Sequence, residues 1–327
     1  MLTHRLFGLW CRLNALGGLD RTGELAFGAF MRPPSPYFSP KQRAFLNAAR
    51  RSWLRYNDTR IALYEWGEPG APYVFTAYGW GYNAGRWRHF APSLTEGGYR
   101  VVAFDYPGHG DSDFDLMHYP RALGVAEAVL RHFGRPEFLL AHSFGAGAAT
   151  GMLVELPRGL RPRRAVLMAG FSDVEYLFRQ YADALGFGEW ARASVLRAAE
   201  WLLERSPLEL DPAAASRTLG DVDVLIVHDP ADEVTAFSNA LRYYAHWPGS
   251  ALWAAAGAGH GIQDAATTQG VVDFLLTGKR PGGARAPSRA AGDGRARHEL
   301  ATYFAPLERG AGHFGGLSVY YDGKVKR

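Results

Sequence analysis

The chain has a single cysteine, Cys11, among 327 residues, which excludes an intramolecular disulfide framework and suits a reducing cytosol. No Cys-His nucleophile motif surrounds it. No uninterrupted run of about 18 apolar residues occurs, so no transmembrane segment is expected. The N-terminal apolar stretch Leu6-Phe7-Gly8-Leu9-Trp10-Cys11 is interrupted at Arg12, and no small-residue cleavage pattern follows it. These features argue against a secretory signal and predict a cytoplasmic protein. His228 and Asp229 end a strand and could suggest a metal site with His260, but no further His or carboxylate stands with them at helical or hairpin ligand spacing, so neither a metal nor another cofactor is expected. Internal repeats are missing as well.

Charge of one sign is scarce in the body of the chain. The formal net charge is +4, yet residues 278–297 alone carry +5, from Lys279, Arg280, Arg285, Arg289, Arg295 and Arg297 against Asp293, which leaves −1 for the rest. The calculated pI of 9.1 therefore belongs to a tail and does not predict a specific nucleic-acid partner. An apolar content of 47% is ample for a core, and the mean hydropathy of −0.18 is that of a soluble chain.

Leu2, Leu6, Leu9, Trp10, Leu13 and Leu16 recur at helical spacing, which predicts a helix over 2–17 docked on the body, with a membrane-surface anchor as the alternative. After the stiff segment Arg32-Pro33-Pro34-Ser35-Pro36, Ser39 and Gln42 form a capping-box pair with Pro40 at the first helical position, predicting a helix to about residue 51. Residues 53–56 and 61–64 read as paired strands across Asn57-Asp58. From there strands at 72–78, 100–105, 137–142, 164–169, 223–229 and 250–256 alternate with helices at 86–96, 119–133, 144–156 and 263–276. That alternation predicts an α/β fold with a mostly parallel sheet flanked by helices. The piece between Gly170 and Asp221 is too long for a simple crossover and contains helical stretches at 174–186 and 189–205. The expected division is an N-terminal helical extension (1–51), a main domain (52–277, with the insertion at 171–220) and a basic, unstructured tail (278–327).

The chemistry centres on Ser143. The apolar run Phe138-Leu139-Leu140 leads into Ala141-His142-Ser143-Phe144-Gly145, and a small-residue helical stretch follows. A strand-to-helix turn this tight pushes the serine hydroxyl out at the top of a sheet, and small flanking residues are a steric requirement. Such a nucleophile needs a base and an acid to orient that base. The strand at 223–229 runs into Pro230-Ala231-Asp232-Glu233-Val234, and the strand at 250–256 runs into Gly257-Ala258-Gly259-His260-Gly261. Both loops lie past the C-terminal ends of strands, where open α/β sheets place their sites. Asp229, Asp232 and Glu233 all compete for the acid position.

Over roughly residues 52 to 276 the chain resembles the α/β-hydrolase superfamily. Its blocks are Tyr73 to Gly81, the Asp105 to Ser112 turn of the Asp-x-x-Gly-His-Gly-x-Ser type, the elbow at Ser143, and the loops of Asp232 and His260. It is also similar to a bacterial subgroup of serine hydrolases with an N-terminal helical extension. The resemblance implies the chain order serine, acid, histidine. Ser143 is then the nucleophile, His260 the base and Asp232, at the Asp-x-Val position, the orienting acid. It implies an oxyanion hole made by the Trp80 and Phe144 amides. The family usually has His-Gly where this chain has Tyr78-Gly79. Tyr78 and Tyr82 are expected in the substrate pocket, Trp80 and Trp87 either line it or belong to the core, and the insertion is expected to cap the site. His109 is expected to bond loop backbone, and His142 to face away from the cleft. A serine at the elbow argues against the aspartate-based chemistry of haloalkane dehalogenases and most epoxide hydrolases. The implied function is cleavage of a small-molecule ester or thioester. An acyltransferase using the same residues and a non-catalytic ligand-binding homologue are the alternatives.

Overall fold

The computed structural model describes residues 2–14, 21–204 and 206–285. Eight strands form one sheet in the order β1-β2-β4-β3-β5-β6-β7-β8: β1 Arg50–Tyr56, β2 Thr59–Trp66, β3 Tyr73–Ala77, β4 Arg100–Phe104, β5 Phe138–His142, β6 Arg164–Met168, β7 Asp223–His228 and β8 Ala251–Ala254. β2 runs antiparallel to β1 and β4, and every pairing from β4 through β8 is parallel. β3 and β5 are buried along their whole length because helices cover both faces of the sheet. The edge strand β1 alternates between exposed and half-buried positions and carries Arg50, Arg51 and Arg55, which blunts the edge against further pairing.

The helices are α1 Leu2–Asn14, α2 Arg21–Phe30, α3 Pro40–Asn47, α4 Ala91–Glu96, α5 Tyr119–Phe133, α6 Phe144–Glu155, α7 Val174–Ala184, α8 Glu189–Leu203, α9 Pro212–Ala215, α10 Ser238–His246 and α11 Ala265–Thr277. The capping box at Ser39 forms with both of its hydrogen bonds. α3 stops at Asn47, short of the expected residue 51, because Arg50 already pairs with Glu65 in the β1–β2 ladder. The stretch expected as one helix at 86–96 is a 3₁₀ segment, Ala84–His89, followed by α4, with Pro92 in its first turn. α2 and α10 were not expected.

The tail expected from residue 278 begins as ordered chain. Arg285 exchanges backbone hydrogen bonds with Leu252 at 2.8 and 2.9 Å, and Arg280 pairs with Asp223 at 3.3 Å. The open edge of β8 offers unpaired peptide groups, and this segment satisfies some of them. The remainder of the predicted tail lies outside the described residues.

Two segments far apart in sequence pack together above the C-terminal ends of the strands. α2 lies on α8, with the Gly23 N–H donating to Ser194 Oγ at 2.9 Å. The Tyr181 hydroxyl on α7 donates to the Ala26 carbonyl at 3.0 Å. α1 meets the end of α7 through Gly8, where a Cβ would stand 2.1 Å from the Leu185 carbonyl oxygen. Cys11 is buried in the same contact layer, and burial pushes its thiol up to about 11.

Candidate active site

Ser143 joins β5 to α6 at φ 53° and ψ −122°, a conformation that side-chain-bearing residues avoid. Its N–H donates to the Met168 carbonyl at 2.8 Å, which fixes the turn against β6. The turn closes only because its neighbours are small. A Cβ on Gly145 would stand 2.4 Å from the Tyr78 carbonyl oxygen, and one on Gly79 would stand 2.8 Å from Ser143 Cβ. Ala169 and Ile262, in the segments beside the turn, also hold positive φ. Backbone strain gathered in one place costs of order 1–3 kcal/mol per residue and persists only where surrounding structure enforces it.

The structure brings the three expected side chains together. His260 Nε2 lies 3.0 Å from Ser143 Oγ, and His260 Nδ1 lies 2.8 Å from Asp232 Oδ2. Asp232 is 2% exposed, and its Oδ1 accepts the Val234 and Thr235 N–H groups at 2.8 and 3.0 Å. Burial alone would raise this carboxyl. The His260 charge and hydrogen bonds from His228 and His260 outweigh it and hold the group well below the usual carboxylate range. A carboxylate accepts only, so His260 Nδ1 carries the hydrogen and Nε2 is left to accept from the serine. The rival acids do other things: Asp229 accepts the Ala231 and Gly259 N–H groups, and Glu233 is exposed.

The loop carrying His260 is gripped from below at successive residues. Asp229 holds the Gly259 N–H at 2.6 Å, His142 Nε2 donates to the His260 carbonyl at 2.8 Å, and Arg86 Nη2 donates to the Gly261 carbonyl at 2.6 Å. His142 therefore faces away from the cleft and under the His260 ring. Burial pushes its imidazole well below the ordinary value, so it holds this carbonyl as a neutral ring. Arg86 was missed by sequence reasoning. It is 1% exposed, beneath the Tyr82 and Trp87 rings, and its sequence neighbourhood gives no sign that it turns inward.

The pocket role expected of Tyr78 is wrong. Its ring is fully buried, its hydroxyl donates to Asp105 Oδ1 at 3.0 Å, and it accepts the Tyr106 N–H. The side chain points down beside the sheet because Asp105 needs donors there. That carboxylate accepts the Tyr64 and Tyr78 hydroxyls and the Ala84 and Asp111 N–H groups. Burial still raises Asp105 to about 6 against these bonds. Gly110 is obligatory beside it, since at φ 51° its Cβ would overlap Asp105 Oδ2 at 1.9 Å. His109 Nδ1 donates to the Pro107 carbonyl, and its Nε2 accepts the Gly81 N–H at 3.1 Å. The glycine-rich turn thus supports the loop of Gly79 and Trp80 against the serine. Neither the Trp80 nor the Phe144 N–H has a protein acceptor among the described residues.

Ser143 and His260 open into a cavity of about 460 Å³. Trp80, Tyr82 and Phe144 line its floor; Tyr176 and Tyr181 come from α7, and Phe7 and Phe30 from α1 and α2. Trp87, for which pocket lining and core were the alternatives, is fully buried and belongs to the core. The Trp80 ring stacks on Phe30 at 5.5 Å and meets Phe144 edge-on at 5.4 Å, tying the N-terminal helices to the serine turn. No group of three or more His, Cys, Asp or Glu side chains suited to a metal occurs among the described residues.

A model of the alpha/beta hydrolase family matches residues 69–322. Over 56 residues the chain is 46% identical to epoxide hydrolase A of Mycobacterium tuberculosis, covering 17% of each protein. Over 116 residues it is 33% identical to a non-heme haloperoxidase of Rhodococcus erythropolis, covering 34% of this chain and 40% of that one. These matches span well under two thirds of either curated relative. A hydrolase from Pseudomonas aeruginosa superposes with a TM-score of 0.56 at 19% identity, over 71% of this chain and 100% of that structure. An esterase from Exiguobacterium antarcticum does so at 0.53 and 20% identity, over 69% and 99%. At these identities the structural likeness is one of fold.

Proposed function

The chain belongs to the alpha/beta hydrolase family, and we propose that it is a serine hydrolase cleaving a small apolar ester or thioester through an acyl-enzyme on Ser143. The continuous hydrogen-bond chain from Ser143 through His260 to Asp232, opening into an apolar cavity, carries this reading. Ser143 Oγ attacks the substrate carbonyl carbon while its proton passes to His260 Nε2. Asp232 stabilises the imidazolium that results and keeps its ring in place. The carbonyl oxygen, now negative, is received by the Trp80 and Phe144 N–H groups, and losing one such donor typically costs about a hundred- to a thousand-fold in rate. The C–O or C–S bond then breaks, and the leaving group takes the proton from Nε2. A water molecule gives a proton to the same nitrogen as it attacks the acyl carbon, and the collapse returns that proton to Ser143 Oγ and frees the acid. Imidazole has one nitrogen that accepts and one that donates, so a single ring can take the serine proton and pass it on.

The relative named an epoxide hydrolase does not redirect this reading. Ser143 stands at the elbow, where most such enzymes use an aspartate, and an attacking alkoxide favours acyl chemistry. The aromatic lining from Phe30, Trp80, Tyr82, Phe171, Tyr176 and Tyr181 favours an apolar or aromatic acyl or alcohol group. A fluorophosphonate probe tests the assignment. The folded wild type is expected to be labelled and Ser143→Ala is not; equal labelling of the two, or none of the wild type, overturns it. A series of nitrophenyl esters of graded acyl length then measures the depth of the pocket.

A further inference from the structure

The two faces of α1 do opposite things. One face, with Gly8 and Cys11, packs on the insertion helices, and His4 and Phe7 line the cavity. The other leaves Leu6, Leu9, Trp10 and Leu13 in solvent at 55%, 46%, 49% and 58% exposure. These positions fall at i, i+3, i+4 and i+7, a single stripe along the helix. The Trp10 ring stacks on Phe7 at 5.7 Å, so the exposed stripe runs without a polar break to the cavity lining. Arg5 and Arg12 flank the stripe, both exposed and neither ion-paired among the described residues. α1 contains no Asp or Glu at all.

From this arrangement we propose that α1 docks the protein onto an anionic lipid surface, with the leucine–tryptophan stripe in the headgroup–acyl boundary and the cavity behind it. Apolar side chains on one face with arginines at the margin are what such a surface recognises. The two arginines meet lipid phosphates, and the apolar path through Phe7 leads from the acyl region toward Ser143. A second copy of the chain fits the face poorly, because a two-fold contact would set Arg5 and Arg12 against their own equivalents. Residues 286–327 fit it poorly too, since they carry a net +3 by sequence. No helix among the described residues is long and apolar enough to cross a membrane, so the contact is peripheral. The proposal goes beyond the hydrolase reading and does not depend on it.

Co-sedimentation of the full chain with vesicles tests it, using phosphatidylcholine alone and phosphatidylcholine mixed with phosphatidylglycerol. The wild type is expected to partition onto the mixed vesicles, more weakly as salt rises. A Leu6→Ser/Trp10→Ser variant and an Arg5→Glu/Arg12→Glu variant are each expected to lose about tenfold or more of that partition. Both change only exposed side chains, and unchanged melting temperature and elution volume establish that they fold. Failure of the wild type to bind overturns the proposal. So does undiminished binding by the serine variant, which would assign the lipid contact to the basic C-terminal residues. A wild type that dimerises without binding vesicles, and a serine variant that is monomeric, would assign the face to a second copy instead.

Discussion

Arg86 is a cation buried without a carboxylate. Its Nη2 reaches the Gly261 carbonyl, while Nε and Nη1 have no hydrogen-bond partner among the described residues, and burial pulls the guanidinium down to about 10. An uncompensated buried charge destabilises a fold, and this one is spent on the residue next to His260. Arg86→Met keeps the volume and removes the charge. It is expected to raise the melting temperature by a few degrees and to lower kcat about tenfold with KM unchanged, because a base displaced slightly from its nucleophile loses rate steeply; thermal melts and ester kinetics check it. His109 gives a second test. Burial lowers its imidazole to about 4, against a hydrogen bond to Pro107 that raises it. The unfolded chain takes up this proton near pH 6.5 and the folded chain only near 4. Stability present above 6.5 is therefore lost as pH falls toward 4, by up to roughly 3 kcal/mol. His109→Asn should flatten that limb of the melting-temperature profile. Ser143 and His260 were legible in the sequence because small residues around each announce a tight turn locally. Arg86 and Tyr78 were not: Arg86-Trp87-Arg88 looks the same whichever arginine turns inward, and Tyr78 is directed by Asp105, 27 residues further along the chain, just past the end of β4.

At the scale of elements, the sheet was readable because each buried strand is a short apolar run closed by glycine or proline, and the reading failed where packing decides. Gly23 and Gly28 weaken the helical signal of α2, yet the two glycines are there under different constraints. A Cβ on Gly23 would stand 2.1 Å from the Ser194 carbonyl oxygen, whereas one on Gly28 would meet nothing within 4 Å. Gly23→Ala is therefore expected to force α2 off α8 and destabilise by about 1–3 kcal/mol. Gly28→Ala should stabilise by about 0.5–1 kcal/mol through helix propensity alone. Chemical denaturation of the pair checks both signs, and equal effects would mean that α2 does not rest on α8 as described. The covering of the cavity by α1 and α2 had no local signature, because it depends on contacts between Gly23 and Ser194, 171 residues apart.

The whole molecule has two layers of different build. β3, β5 and β6 are bonded on both sides and buried almost throughout, while the helical layer above the strand ends is held to the loops over the sheet by side-chain contacts such as Phe30 on Trp80 and the Ala236 N–H on the Tyr176 hydroxyl. Regions with fewer buried contacts open more readily than the global unfolding limit. Native-state hydrogen exchange should accordingly release the amides of α1, α2 and α7 well before those of the central strands; one common rate for both layers would contradict this division. His142 belongs to the slower layer, sits immediately before Ser143 and grips the carbonyl of His260. In the proposed chemistry serine and imidazole are thereby yoked to one anvil, so that the helices overhead could swing aside for entry and departure while the gauge between the two side chains is kept.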